Sequence, residues 1–306
     1  MDKKNLLADA HEKSISITHR HILSIINTML ANEPVLIEKN TIRILDAGCG
    51  DGKLLYFLHL YLPLFNEGKT FLIYGYDVID HGVQQSGYIQ KVFAFMAEMA
   101  PGIDWSDRIK MINSDENWPF ENNKFDFVVS NQVLEHVWDH DQFFRENNRV
   151  LADKGFSIHL FPVKEVIWDG HVGLLRIHQL KSWDAMYRMV KFYSRLNLGI
   201  WRKTKKEYNN DLDHFSRVWA DKIYHYCNYQ SYAELTKAAR KNHLCLTPRF
   251  TLNFYTRKLK EITGNKSDMY YPNRPSSKVL FFFLKYLSSV TLVLYKGEYA
   301  QYGKKA

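Results

Sequence analysis

Thr41-Ile-Arg-Ile-Leu-Asp-Ala-Gly-Cys-Gly-Asp-Gly52 carries the main signal for the fold. A short β-branched run ends in a turn with glycines at 48, 50 and 52. Leu54, Leu58, Tyr61 and Leu62 then recur at helical spacing until Pro63. The pattern is strand, glycine-rich turn, helix. Glycine lacks a Cβ, so the backbone can turn sharply there and approach a ligand closely. A dinucleotide-binding turn would space its glycines G-x-G-x-x-G before a helix whose N–H groups hold a pyrophosphate. Here the spacing is G-x-G-x-G, with Asp46 and Asp51 beside it, and negative side chains suit a cationic ligand better than a diphosphate.

Outward from this turn, strands and helices alternate. Phe71 to Tyr76 reads as a second strand ending in Asp77, and Tyr88, Val92, Phe95, Met96 and Met99 mark the next helix before the Pro101-Gly102 break. Arg108 to Ile112 is a third strand and Phe125 to Ser130 a fourth. Asp139 to Leu151 is a helix, and Phe156 to Phe161 is a fifth strand entered through Lys154-Gly155. Such alternation predicts an α/β fold with a doubly wound, mostly parallel sheet. Ligands of these sheets sit beyond the carboxyl ends of the strands, so the polar residues just after each strand are the candidates for function.

Those residues, taken in order, resemble the class I S-adenosylmethionine-dependent methyltransferases. The resemblance rests on Ile44 to Gly52, on Tyr76-Asp77 closing the second strand, and on Ser114-Asp115-Glu116-Asn-Trp-Pro-Phe120. It rests further on Phe125-Asp-Phe-Val-Val-Ser-Asn-Gln-Val-Leu-Glu-His136 and on Arg149 to Gly155, which lacks the proline and first glycine of the family's pattern. It implies a seven-stranded Rossmann-like sheet and S-adenosylmethionine as methyl donor. It assigns the cofactor to Asp46, Gly48, Cys49, Gly50, Asp77, Val78, Asp115, Glu116, Asn131 and Gln132. Asp77 would hold the ribose hydroxyls and Asp115 would face the adenine amine. Each acid also has a plain reading: Asp77 as a helix cap or loop acid, Asp115 as a solvated side chain.

The match is close over residues 41–162. Residues 1–40 read as an N-terminal helical segment and 163–230 as a cap insertion after the fifth strand. Residues 231–306 then complete the core: Ser231 to Lys241 as a helix, Leu244 to Tyr255 as a sixth strand and Val290 to Tyr295 as a seventh. Glu135, His136 and His171 are the candidate catalytic residues, since a hydroxyl acceptor needs its proton removed and a histidine near neutrality can take it. In ubiquinone-pathway and small-RNA O-methyltransferases an E-x-x-E-H segment here binds a divalent metal. Gln132 replaces the first carboxylate with an amide, which weakens the charge a hard cation prefers, so no metal site is assigned. Trp168-Asp-Gly-His171-Val-Gly173 resembles a segment of methyltransferases encoded among polysaccharide and lipopolysaccharide genes, with Asp169 matching its acid.

Composition agrees with an enzyme of this kind. The chain has 306 residues, 46% hydrophobic, 24% charged and 15% aromatic, which excludes a disordered or fibrous protein. Three cysteines at unrelated spacings, Cys49, Cys227 and Cys245, make neither a disulfide framework nor a zinc quartet. Met1-Asp2-Lys3-Lys4 leads into no apolar run of ~7 to 15 residues, so no secretory signal is expected and the cytoplasm is the expected compartment. Val279 to Tyr295 is interrupted by Lys285 and reads as a buried helix and a strand rather than a membrane span, with docking at a membrane surface as the lesser alternative. The net charge is +8, yet residues 191–260 hold fifteen Lys/Arg against five acids, a local +10 that leaves −2 elsewhere. Such a segment attracts an anionic partner or is simply a solvated face. Tyr193, Trp201, Tyr208, Trp219, Tyr224, Tyr226 and Tyr229 interleave with it and either stack on sugars or bases or pack the cap on itself.

The expectation drawn from all of this is O-methylation of a glycan or glycan precursor, a small-molecule or glycan acceptor whose anionic forms the basic segment would attract. RNA 2′-O-methylation, with Arg202, Lys203, Lys205 and Lys206 on the nucleic acid, is one alternative, and a non-catalytic interaction protein is another.

Overall fold

The computed structural model describes residues 3–13, 16–80, 87–272 and 277–297. Seven strands form one sheet in the order β3-β2-β1-β4-β5-β7-β6. They are β1 (Thr41–Ala47), β2 (Thr70–Val78), β3 (Ile109–Ile112), β4 (Phe125–Asn131), β5 (Leu151–Phe161), β6 (Leu244–Thr247) and β7 (Val290–Lys296). The first five are parallel, and β7 runs antiparallel to both β5 and β6. The chain reverses strand order at β1 and β4, and the crevice there opens at their carboxyl ends.

Runs such as Phe125-Asp-Phe-Val-Val-Ser130 form strands because both faces of the sheet are covered, so apolar residues are wanted at every position. One face packs on helices Ile17–Asn32, Lys53–Phe65 and Tyr88–Met99, joining Ile22, Ile26, Leu55, Leu58 and Met96 to Ile44, Ile73, Phe127 and Ile158. The other packs on helices His140–Val150 and Tyr232–Lys241, joining Phe144, Val150 and Leu235 to Leu45, Val128 and Leu292. Ser231 caps the last of these with a full capping box, its hydroxyl accepting from Glu234 N while Glu234 accepts from Ser231 N.

Between β5 and β6 the helices Trp183–Arg195 and Leu212–Tyr226 pack together around a third core of Val172, Met186, Val190, Phe215 and Ile223. Trp201 and Tyr208 sit against Phe215 with ring centroids 4.9 and 5.0 Å apart, and Trp219 and Tyr193 pack beside them. These aromatics of the basic segment therefore fill the insertion's own interior.

Two expectations need correction. The sixth strand stops at Thr247. After the turn through Pro248, with Phe250 at φ +73°, residues Thr251–Ile262 form a helix that buries Thr251, Phe254 and Arg257 at three-residue spacing. The apolar run after Ser277 does form a helix, Lys278–Leu284, but it is not buried: only Phe281 faces inward. No helix among the described residues is long and apolar enough to cross a membrane.

Candidate active site

The glycine turn after β1 is built by main-chain geometry. Gly48, Gly50 and Gly52 have φ of +78°, +53° and +77°. A Cβ on Gly48 would lie 2.6 Å from Val133 Cγ2, so the position needs glycine for space as well as for backbone conformation. Gly48 N and Cys49 N both donate to Tyr76 O at 2.9 Å, tying the turn to the end of β2. The next residue of β2, Asp77, accepts from Gly50 N at 2.6 Å, from Val78 N at 2.7 Å and from the Tyr88 hydroxyl at 2.8 Å.

Above this turn lies a cavity of about 570 Å³, a size suited to a nucleoside-bearing ligand. Gly48, Gly50, Asp77, Val78, Asp115, Glu116, Asn131, Gln132 and His136 line it, so nine of the sequence-predicted residues meet at one place. Tyr76 and Trp118, centroids 4.6 Å apart, together with Tyr88, Val133, Trp138 and Phe143, supply an apolar wall. Asp77, Asp115, Glu116 and Asp139 are its charged lining residues, with no lysine or arginine among those described. Two buried oxygen-bearing groups lack partners here: Asn131 Oδ1 on the wall, and both carboxyl oxygens of Asp46 behind the turn. Burial, and then the charge of Asp77, holds the Asp46 carboxyl well above its ordinary value. An acidic, aromatic-walled hollow with an unsatisfied acceptor at Asn131 fits a cationic nucleoside and is a poor fit for a phosphate.

Asp46 and Cys49 do not reach the cavity wall. Cys49 turns into the core against Gly75, where burial raises its thiol pKa well above the ordinary range.

The side of the cavity around Gln132 and His136 is more specific than the sequence indicates. Gln132, at φ +58°, donates through its amide to Leu160 O at 3.2 Å and Ser289 Oγ at 3.1 Å. Leu134–His136 is a single 3-10 turn that aims His136 into the cavity and Glu135 away from it. Glu135 is 2% exposed and its Oε2 has no partner; burial pushes its carboxyl up to about 8. His171 stands behind His136, not on the cavity wall, and their Nε2 atoms face each other at 3.3 Å. The far side of each ring is anchored. His136 Nδ1 lies 2.6 Å from the Tyr226 carbonyl, which can only accept, so that nitrogen carries the proton. His171 Nδ1 lies 3.0 Å from the Tyr229 hydroxyl, which itself donates to Asp169 Oδ2 at 3.2 Å, and 3.7 Å from Asp169 Oδ1.

Asp169 organises this corner. It is 1% exposed and accepts from His171 N and Val172 N at 2.9 and 3.0 Å, closing a tight turn, while the His178 ring approaches at 3.5 Å. Burial alone would raise its pKa, but the neighbouring His171 and His178 rings hold it below the usual carboxylate range. In return, burial disfavours the charged form of His171, and the Asp169 contact outweighs it, leaving that imidazole above its ordinary value.

His136, His171 and Cys227 bring one ligand-type atom each within 4.8 Å of one another. Burial, then the charges of Asp169 and Glu135, pushes the Cys227 thiol upward, which disfavours the thiolate a metal would need. The Tyr226 carbonyl holds His136 through Nδ1 and leaves Nε2 toward His171, while Gln132 is turned to Ser289 rather than to this group. Sequence reasoning missed Tyr88, Trp118, Phe143 and the Tyr226 carbonyl. Trp118 and Phe143 had an available signal in their position just after a strand and just inside a helix, whereas a main-chain carbonyl has none.

Comparison with known proteins now bears on this geometry. Residues 16–204 match the family described as the methyltransferase domain. The chain belongs to this family. With its seven-stranded sheet and cationic-nucleoside cavity it is a class I methyltransferase that uses S-adenosylmethionine as methyl donor. No curated protein matches it. Among solved structures the methyltransferase is similar to PKMT2 of Rickettsia typhi in complex with AdoHcy, at 17% identity over 92% of this chain and 54% of that one, TM-score 0.49. It is also similar to an S-adenosylmethionine-dependent methyltransferase of Mesorhizobium loti, at 12% identity over 83% and 91%, TM-score 0.44. A third likeness is to the YcgJ protein of Bacillus subtilis, at 14% identity over 90% and 98%, TM-score 0.43.

Proposed function

We propose that this methyltransferase methylates a hydroxyl oxygen of a glycan or glycan precursor, and that the His136–His171 pair takes the acceptor proton. The observation that carries the reading is the pair of facing Nε2 atoms. With Nδ1–H of His136 held by the Tyr226 carbonyl and Nδ1–H of His171 directed at Tyr229 and Asp169, both Nε2 atoms present lone pairs across 3.3 Å. Two lone pairs so close repel each other, and one proton placed between them removes the repulsion. Asp169 then balances the positive charge.

Gly48, Gly50, Asp77, Val78, Asp115, Glu116, Asn131 and Gln132 would hold the donor, with Asp46 and Cys49 supporting the turn from behind. When bound, the donor supplies an already activated sulfonium methyl group. The protein's share is to align the acceptor oxygen opposite the leaving sulfur, worth up to ~7 to 11 kcal/mol, and to receive the hydroxyl proton as the O–C bond forms. Trp138, 56% exposed at the cavity, and Trp168, 57% exposed three residues before His171, offer open aromatic faces of the kind that stack on sugar rings. Trp201, Tyr208, Trp219 and Tyr193 pack in the insertion's own core, which favours a small acceptor over an extended RNA strand.

The test is methyl transfer to panels of sugar phosphates, nucleotide sugars and short glycans, with the methylated atom located by NMR. His171→Ala should lower kcat by about 100-fold or more while S-adenosylhomocysteine affinity stays within about threefold. A methyl group on nitrogen or carbon, or an unchanged kcat in His136→Gln and His171→Ala, would remove the proposal.

A further inference from the structure

The connection from β6 to β7 carries an apolar face of a kind that soluble monomers seldom leave open. On helix Thr251–Ile262, Leu259 is 67% and Ile262 80% exposed; on helix Lys278–Leu284, Val279 is 70%, Phe282 54% and Phe283 62% exposed, and Leu287 follows at 54%. Phe254 and Phe281 are the buried anchors that fix the two helices to the body. The helices touch each other, with the Tyr255 hydroxyl donating to Leu284 O at 3.0 Å and Lys258 Nζ to Ser288 Oγ at 2.9 Å. Leu259 and Ile262 lie one turn beyond Tyr255 and Lys258 on that same side of their helix, so the exposed residues of the two helices form one patch rather than scattered singles.

The rim of the patch is basic. Lys260, Lys266 and Lys278 are exposed against one exposed acid, Asp268, while Arg257 is buried, Lys285 pairs with Glu165 and Glu261 is engaged by Arg20 and Arg257. An apolar tip with cations around it matches a bilayer surface, where aromatic and aliphatic groups enter the headgroup boundary and lysines meet anionic lipids. A second copy of the chain is the weaker match, because a two-fold contact would bring two lysine rims together. Topology adds a reason. β6 is parallel to the first five strands and β7 antiparallel, so the β6-to-β7 connection emerges at the carboxyl edge of the sheet, the edge that holds the cavity. Ser289, at its end, bonds Gln132 on the cavity wall.

We infer that this face docks the enzyme on membranes containing anionic lipids, with Leu259, Ile262, Phe282 and Phe283 inserting and Lys260, Lys266 and Lys278 pairing with headgroups. The cavity mouth is thereby turned toward the lipid surface.

Co-sedimentation of the full chain with extruded vesicles tests this. Phosphatidylcholine vesicles containing roughly one third phosphatidylglycerol should retain at least about tenfold more protein than phosphatidylcholine alone, and added salt should weaken the binding. Phe282→Ser/Phe283→Ser and, separately, Lys260→Glu/Lys278→Glu should each lower binding by about tenfold, with S-adenosylhomocysteine affinity unchanged as proof of an intact fold. Absence of binding to the anionic vesicles at low salt would overturn the inference. So would equal binding by the variants, or a dimer at equilibrium in sedimentation that the Phe282→Ser/Phe283→Ser variant abolishes.

Discussion

Half-buried His171 and buried Glu135 share one corner, and their environments push both toward the protonated form, cationic for the imidazole and neutral for the carboxyl. For His171, burial is outweighed by Asp169, so its folded pKa lies above the ordinary 6.5. The pair is then an empty proton acceptor only at pH above that raised value, and kcat/KM should climb with pH through an inflection higher than 6.5. In Asp169→Asn the burial stays and the carboxylate goes, so the inflection moves to lower pH. NMR titration of the His171 ring in the free enzyme reads the same shift without any acceptor, and an unmoved titration in Asp169→Asn would disprove the account. Glu135 is linked to stability with the same sign as any group whose folded pKa is raised. Its carboxyl is raised from 4.5 to about 8 by burial, so between these values the native state holds a proton that the unfolded chain has lost, and stability declines as pH rises. Glu135→Gln removes this dependence. It should be close to neutral at pH ~5 and should stabilise by on the order of 3 kcal/mol at pH ~8, as read from urea unfolding at both values; equal effects at the two pH values would contradict it.

At the scale of elements, the glycine turn is the piece whose geometry is least replaceable. Gly48→Ala places a Cβ in the left-handed region at 2.6 Å from Val133, which strains the turn by about 1 to 2 kcal/mol. Because Gly48 lines the cavity, S-adenosylhomocysteine affinity should fall by about tenfold or more, measured by calorimetry. Val133→Ala in the same chain should recover only part of it, since space returns but φ does not. This turn, with β1 to β5, was readable from sequence because strands covered on both faces are near-continuous apolar runs, and the first two end in a glycine turn and an acid. The stretch Leu244–Tyr255 misled because a four-residue strand passes through a proline turn into a helix without any break in its apolar content. The helix Lys278–Leu284 misled for another reason: its side chains are apolar enough for a core, and only the packed molecule reveals that most of them face outward. The histidine corner was half legible. Residue types at 136 and 171 named the candidates, but what fixes their protons is a carbonyl 90 residues from His136 and a hydroxyl 58 residues from His171, and no local spacing encodes contacts of that range.

The whole molecule is closed by a contact between the two ends of the chain, and this contact lies largely outside the segment that matches the family. Arg257, 1% exposed, donates to Tyr271 Oη at 2.8 Å, to Ser24 Oγ at 2.6 Å and to Asp268 O at 2.7 Å, and stands 3.5 Å from Glu261. His21 joins the same network, reaching Tyr271 Oη at 2.6 Å through one ring nitrogen and Thr291 Oγ1 on β7 at 2.8 Å through the other. One guanidinium thus ties helix Ile17–Asn32, helix Thr251–Ile262 and the segment around Tyr271, and His21 carries the network on to β7. Removal of the guanidinium should act on global stability rather than on one element. Arg257→Ala removes three buried hydrogen bonds, to Tyr271, Ser24 and the Asp268 carbonyl, while Glu261 keeps Arg20, and should lower unfolding free energy by about 2 kcal/mol or more. The ion pair Lys241–Asp141, at 2.7 Å with Lys241 70% exposed, is the internal control: Lys241→Ala should cost under about 1 kcal/mol because water screens the pair and solvates what remains. Urea unfolding midpoints of the two variants give the comparison. Equal losses would mean that the chain ends are joined by apolar packing alone, while a large loss confined to Arg257→Ala would establish the buried cation as the clasp.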